Sequence, residues 1–315
     1  MQKEYMEFES RDNKSHISAV KYYPEGEPIG ILLIIHGMSE YVERYEDFIK
    51  FVCDKGFLVV GEDHLGHGRT VWNNKGSLKG YFTQRDGATV VVRDVHRLKK
   101  IIQQDYPGTP IYILGHSMGS YMLRDYLVRY GAGIDGAIIM GTGMIPGGKL
   151  AMARALVRVR NFFMNEKTTS RLLNKISFGD YNKRIENPET DFDWLSVNKE
   201  NVKKYIADDM CGFDFTGNGF KVLFDLVHRS CDRKNMRKIP EFLPILLVSG
   251  KEDPVGDYGE GVKKTCDALI EAGCTNTTMV LYDGMRHEIL NETDKEKAYR
   301  DIADWLLKRI EEDGV

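Results

Sequence analysis

No apolar stretch in this chain of 315 residues is longer than a buried strand needs. The longest aliphatic runs, Ile31 to Ile35 and Ile245 to Val248, fall far below the ~18 residues that cross a bilayer. Met1 to Ser10 alternates charged and apolar residues and offers nothing like the apolar centre of a secretion signal. Cysteine is scarce, with five residues in all. Cys53, Cys211, Cys231, Cys266 and Cys274 are scattered and never spaced C-x-x-C, which argues against a disulfide framework or a zinc knuckle. A reducing cytoplasm is therefore the expected location. An excess of charge of either sign is also missing: 44 basic and 47 acidic side chains leave −3. Such a balance supplies no concentrated basic face for phosphates, so no nucleic-acid partner is expected. With 42% hydrophobic and 29% charged residues, neither disorder nor a fibrous fold fits.

Glycine, in contrast, is plentiful at 31 residues. The length suits two units of ~150 residues, or one large α/β domain carrying an insertion. Glu4 to Ser10 and Ile17 to Tyr23 alternate with a period near two around the turn cluster Arg11 to Lys14, and so read as a hairpin. Gly30 to Ile35 is continuously apolar, as in a strand covered on both faces. Then helix and strand patterns alternate: helix over 45–55, strand 57–60, helix 86–106, strand 111–114, helix 117–130, strand 136–140. This order predicts a mostly parallel, doubly wound sheet with right-handed crossovers. Between Met144 and Ile239 the alternation stops, and only amphipathic helical stretches are legible. Strand and helix patterns resume over 244–250, 261–272, 277–282 and 296–311. The expected organisation is a core of residues 1–143 and 240–315, with 144–239 inserted as a helical cap above the carboxyl ends of the strands.

Gly115-His116-Ser117-Met118-Gly119 satisfies G-x-S-x-G, directly after the strand at 111–114 and opening a helix. A turn that tight admits only glycine two residues either side of the serine, and it lifts Oγ to the top of the sheet. A serine hydroxyl needs a base to take its proton and a carboxylate to orient that base. After such an elbow the chain order is Ser, acid, His. His287, in the loop after the strand at 277–282, is the one histidine of eight beyond the insertion. For the acid, the loop after the strand at 244–250 offers Asp253, with Glu252, Asp257 and Asp283 as competitors. Asp253 is preferred because Pro254 fixes the backbone after it. The backbone amides of Met38, after the flexible Gly37, and of Met118 are the expected oxyanion donors. Asp63-His64-Leu65-Gly66-His67-Gly68 offers two histidines beside a carboxylate, but its glycines mark a turn, so loop scaffolding is expected there and not a metal.

His36-Gly37-Met38-Ser39-Glu40-Tyr41, Arg44-Tyr45, Asp63 to Gly68, Gly115 to Gly119, Asp253 and His287 together resemble the monoacylglycerol lipase and lysophospholipase group of α/β-hydrolases, also called serine aminopeptidase-like. The resemblance implies an α/β-hydrolase fold with a cap. It implies that Ser117, Asp253 and His287 form the triad, that Met38 and Met118 donate to the oxyanion, and that no cofactor is needed. In the cap, Phe178 to Lys183, Asp193 to Ser196 and Cys211 to Thr216 look like the bacterial members. The implied activity is hydrolysis of monoacylglycerol or lysophospholipid esters. Amide or peptide cleavage, and ligand binding without catalysis, stand as alternatives. Tyr41, Met144, Phe162, Phe178, Phe213 and Phe215 are candidate walls for an acyl chain. Met152, Leu156, Val159 and Phe163 share one face of the helix at 150–164. That stripe is expected to pack over the pocket, with contact to a membrane surface as the other reading.

Overall fold

The apolar runs become the middle of an eight-stranded sheet in the computed structural model, which describes residues 1–313. β1 (Gln2–Glu9) and β2 (His16–Tyr23) form the expected hairpin, with Gln2 opposite Tyr23. β3 (Gly30–Ile35) leads through a short 3₁₀ turn and α1 (Glu46–Cys53) to β4 (Phe57–Glu62). α2 (Gly68–Asn73), which the sequence pattern did not reveal, precedes α3 (Gly87–Asp105), β5 (Ile111–His116), α4 (Met118–Tyr130) and β6 (Gly136–Met140). After the insertion come β7 (Ile245–Gly250) and β8 (Thr277–Tyr282). The strand order is β1-β2-β4-β3-β5-β6-β7-β8, antiparallel from β1 through β4 and parallel from there on.

Strands β3 to β7 are buried from end to end because helices cover both faces. The period of two survives inside these all-apolar runs as a division between layers. Ile31, Leu33, Ile35, Ile113 and Ile139 pack on one side with residues of α3 and α4. Leu32, Ile34, Leu114 and Ile138 pack on the other with α1 and the closing helix at Lys295–Asp313.

The chain leaves the sheet at Gly141 and returns at Ile245. Between them lie α5 (Gly147–Phe163), α6 (Arg171–Phe178), a 3₁₀ turn at Asp193–Leu195, α7 (Lys199–Ala207), α8 (Gly217–Cys231) and α9 (Arg233–Met236). The strand-free reading of this segment meets a single isolated bridge, Thr169 with Thr216, among the described residues. α8 packs against α3, α4 and α5, and its Phe220, Val222 and Leu226 are buried in the same core layer as the sheet. α8 therefore belongs to the core layer that covers the sheet, although it lies in the inserted segment. α10 (Glu260–Glu271) and α11 (Lys295–Asp313) complete the layers.

The tightest joint in the fold is the turn from β5 into α4. A Cβ at Gly119 would stand 2.1 Å from the Ile35 carbonyl oxygen, and one at Gly115 would stand 2.4 Å from the Gly119 oxygen. Both obstacles are backbone and have no rotamer to yield. Gly119→Ala is accordingly expected to destabilise the fold by about 1–3 kcal/mol of overpacking, read as a fall in melting temperature.

Candidate active site

Ser117 sits between β5 and α4 with φ 54° and ψ −119°. For a residue with a side chain this conformation costs about 1–3 kcal/mol, so the surroundings must impose it. The Ser117 amide donates to the Met140 carbonyl at 3.0 Å, which ties the turn to β6. Helix α4 then points its amino terminus, with its partial positive charge, at the same spot.

The loops after β7 and β8 bring two further groups to this edge. His287 Nδ1 lies 2.9 Å from Asp253 Oδ2. The other Asp253 oxygen accepts the Val255 amide at 2.8 Å, and Ser249 Oγ donates to Oδ2 at 3.2 Å. Asp253 is fully buried, whereas the competing carboxylates are exposed: Asp283 pairs with Lys251 at 2.6 Å and Asp257 faces Lys264. Two rings flank His287, that of His116 at 4.7 Å between centroids and that of Trp194 at 5.1 Å. Ser117, His287, Met38 and Met118 all line one cavity of about 1630 Å³.

Beneath this group runs an ionic network that sequence reasoning missed. Glu40 accepts from Tyr45 Oη at 2.7 Å and faces His116 Nδ1 at 3.1 Å and Arg44 Nε at 3.4 Å. Arg44 Nη2 reaches Glu288 Oε2 at 2.6 Å, and Asn201 of α7 donates to the same oxygen at 2.6 Å. Burial works against the Glu40 charge, but His116 and Arg44 outweigh it and hold the carboxyl below its usual range. Burial likewise works against protonation of His116, and Glu40 outweighs it and raises the imidazole. Glu40 and Arg44 stand four apart in the segment that opens with His36-Gly37, a spacing that joins side chains on one helical turn. That was the available signal. Gly37 has a different reason to be glycine from the one expected: its φ is not left-handed, but a Cβ would lie 3.1 Å from Ser117 Cβ and closer still to Glu40.

The Asp63 to Gly68 segment braces the loops. Asp63 accepts the amides of Val42 at 3.0 Å and Arg69 at 2.8 Å. His36 Nε2 accepts the His64 amide at 3.1 Å, and His67 Nε2 accepts the Ser39 amide at 3.2 Å. The rings of His36 and His64 stack at 3.9 Å. Burial drives all three histidines to titrate low, His64 down to about 4 and His67 to about 3, so at neutral pH they are uncharged; His36 and His67 accept amides, whereas His64 Nε2 faces the His36 carbonyl at 3.3 Å. Among the described residues no group of three or more His, Cys, Asp or Glu side chains is arranged to hold a metal ion.

Of the six candidate wall residues, Phe178 and Phe213 line the cavity. The other four do not, each for a packing reason. Tyr41 donates to Asp208 Oδ2 at 2.7 Å, and Phe215 is fully buried behind Phe213 against His67 and Phe82. Met144 packs on the core layer, and Phe162 is 83% exposed. The stripe expected to lie over the pocket is largely exposed as well, with Met152 at 71%, Val159 at 56% and Phe163 at 78%. α5 buries Leu150 and Val157 instead. Met152 and Leu156 reach the cavity rim, and the deeper wall includes Tyr121, Leu173, Tyr181, Trp194 and Leu223. These residues come from separate elements, so no single stretch of sequence marks them.

The family model described as serine aminopeptidase, S33, matches residues 26–294. Monoglyceride lipase of Homo sapiens is 26% identical over 296 residues, which cover 93% of this chain and 87% of that protein. Monoacylglycerol lipase of Mycolicibacterium smegmatis is 25% identical over 287 residues, covering 91% of each. Among solved structures, a highly thermostable carboxyl esterase from Bacillus coagulans superposes with a TM-score of 0.92 at 29% identity, over 98% of this chain and 99% of that one.

The buried histidines carry a pH signature. Their unfolded forms take up protons near pH ~6.5, whereas folded His67 resists protonation until about pH 3. Its contribution to stability is present above ~6.5 and is lost as the pH falls toward the folded value. The melting temperature of wild type minus that of His67→Gln should therefore shrink as the pH is lowered from ~7 to ~4 in calorimetry, since glutamine escapes this proton uptake.

Proposed function

We propose, from the premise that this chain belongs to the serine aminopeptidase S33 family of α/β-hydrolases, that Ser117, His287 and Asp253 act as its nucleophile, base and orienting acid. The protein is an ester hydrolase, like its lipase and esterase relatives. The observation that carries the mechanism is the 2.9 Å contact of His287 with a buried Asp253, opening onto the cavity where strained Ser117 stands. His287 takes the Ser117 proton while Oγ attacks the ester carbonyl, and then gives that proton to the departing alcohol. The amides of Met38 and Met118 receive the oxyanion. Neither takes part in the loop and side-chain hydrogen bonds around them among the described residues. Water activated by the same histidine releases the acid from the acyl-enzyme.

The substrate in this reading is a monoacylglycerol or lysophospholipid. A cavity of about 1630 Å³ walled by Leu173, Phe178, Phe213, Leu223 and Phe224 suits a long acyl chain. Cleavage next to a free amine would need an uncommitted carboxylate near Ser117. Glu40 and Glu288 are both held by Arg44, and Glu62 is buried against His64; Glu189, Asp191 and Asp214 of the inserted segment also line the cavity. Ester substrates are favoured because the relatives are lipases and an esterase. The residues 144–239 serve as the cap, and the cytoplasm remains the location favoured by the cysteine pattern.

The cap also supports transient binding to an anionic lipid surface. Between Gly147 and Phe178 the chain carries seven basic side chains against the single acid Glu166, within a protein of net charge −3. The same segment exposes Phe162, Phe163, Leu172 and Ile176, the last at the cavity rim. Apolar side chains ringed by cations are the pattern of an interfacial helix, and no described helix is long and apolar enough to cross a membrane.

Ser117→Ala should lower hydrolysis of p-nitrophenyl esters by about 10⁴-fold or more, and Asp253→Asn should come close to it. Equal activity in wild type and Ser117→Ala across all acyl lengths would refute the mechanism. In sedimentation with phosphatidylglycerol vesicles, wild type should bind at low salt and less at high salt, and Phe162→Ser/Phe163→Ser should bind weakly. Hydrolysis of short soluble esters should be unaffected by that double substitution.

A further inference from the structure

Trp194 belongs to the inserted segment, yet it is carried by the loop that holds His287. The 3₁₀ turn Asp193–Leu195 is fastened to that loop from several sides. Glu288 N donates to the Leu195 carbonyl at 2.8 Å. Arg286 Nη1 donates to the Asp193 carbonyl at 2.7 Å and the Ser196 carbonyl at 3.2 Å. The buried Glu292 carboxylate accepts from Ser196 Oγ at 2.7 Å, from the Val197 amide at 3.0 Å and from the Arg286 amide at 2.8 Å. On its other flank the Trp194 amide donates to Asn182 Oδ1 at 2.9 Å, and the Tyr181 ring meets the indole edge-on at 4.9 Å. The backbone that carries the indole is thus tied to the His287 loop on one side and to Asn182 on the other. Its ring lies 5.1 Å from the imidazole at 44° and lines the cavity.

We propose that Trp194 is a positioning residue for ester hydrolysis, its indole holding the His287 ring and stabilising the imidazolium that exists while the Ser117 proton is in transit. The inference rests on the reading of His287 as the base. The charge appears on His287 when the Ser117 Oγ–H bond breaks and the Oγ–C bond forms, and it leaves when the proton passes to the alcohol oxygen. A cation within ~6 Å of an indole centroid is attracted by the negative face of the ring, and more strongly where water is excluded. The other groups facing His287 stay in place when Trp194 is changed. Asp253 favours the charged ring, the His116–Glu40 pair next to it opposes that charge through His116, and Glu288 is already paired with Arg44. Tyr181 contributes an uncharged ring behind the indole.

The test compares wild type with Trp194→Leu, which fills the space without a π face, and Trp194→Phe, which keeps one. Rates on a soluble ester from about pH 5 to pH 9 are corrected for folded sites by fluorophosphonate titration of Ser117. For Trp194→Leu, kcat should fall about ten-fold with a smaller change in KM. The acid limb of kcat/KM should move to lower pH by up to about one unit, because the charged ring has lost a stabilising partner. Trp194→Phe should recover most of both. An acid limb that moves to higher pH would show that the indole merely kept water from the imidazole, since admitting water favours the charged form, and would overturn the proposal. So would a Trp194→Leu profile that superposes on wild type. A His287→Ala variant as active as wild type would instead remove the base assignment itself, and the inference with it.

Discussion

Everything at the top of the sheet is set by one steric constraint, the turn of the backbone through Ser117. Its left-handed φ is tolerable only because β5 and α4 are each anchored elsewhere, and because Gly115 and Gly119 let three backbone segments approach within distances no Cβ allows. The approach leaves the Ile35 and His36 carbonyls directly beneath α4. The loop that continues from them carries Met38, so that loop and the turn at Ser117 share a single contact surface. A change in either would move the other.

A second layer of control is electrostatic. Four buried ionisable side chains are joined in a chain from His116 through Glu40 and Arg44 to Glu288, and Glu40, His116 and Glu288 line the cavity. Burying such groups is tolerable only when each has a partner. Arg44 holds both carboxylates, and Asn201 extends the network into the inserted segment. Farther out, His36, His64 and His67 stay neutral: His36 and His67 each accept a backbone amide at Nε2 and turn Nδ1 to a backbone carbonyl, and His64 Nε2 faces the His36 carbonyl, so the loops around the cavity are held without adding charge to it.

The inserted segment divides into two parts with different physics. The turn Asp193–Leu195 and α7 are tied to the His287 loop and the Glu288 carboxylate by hydrogen bonds, whereas α5 and α6 turn large apolar side chains and most of the local positive charge outward. One part is thus tied beside His287, and the other presents an apolar, cationic surface at the cavity rim.

How much was legible beforehand follows from the range of the forces involved. The strands and the tight turn at Ser117 were readable because apolar runs and glycine spacing are local signals, and the ends of β6 and β8 fall where the pattern put them. Asp253 could be preferred but not separated from Asp257 or Asp283 by sequence, because burial and contact with His287 depend on two loops meeting. The Glu40–Arg44–Glu288 network spans 248 positions in the chain, and the cavity wall draws on helices whose apolar stripes look alike whether they face the core, the cavity or solvent. Phe162 and Phe215 show this plainly: one is exposed and the other fully buried, yet nothing in their neighbours along the chain tells them apart. By itself the sequence determined the α/β-hydrolase sheet and the tight turn at Ser117, since these rest on short-range sterics. Which carboxylate meets the histidine, which aromatic lies against it and which face of the cap is left to solvent were decided only by the tertiary structure, because each depends on distant segments arriving at the same place.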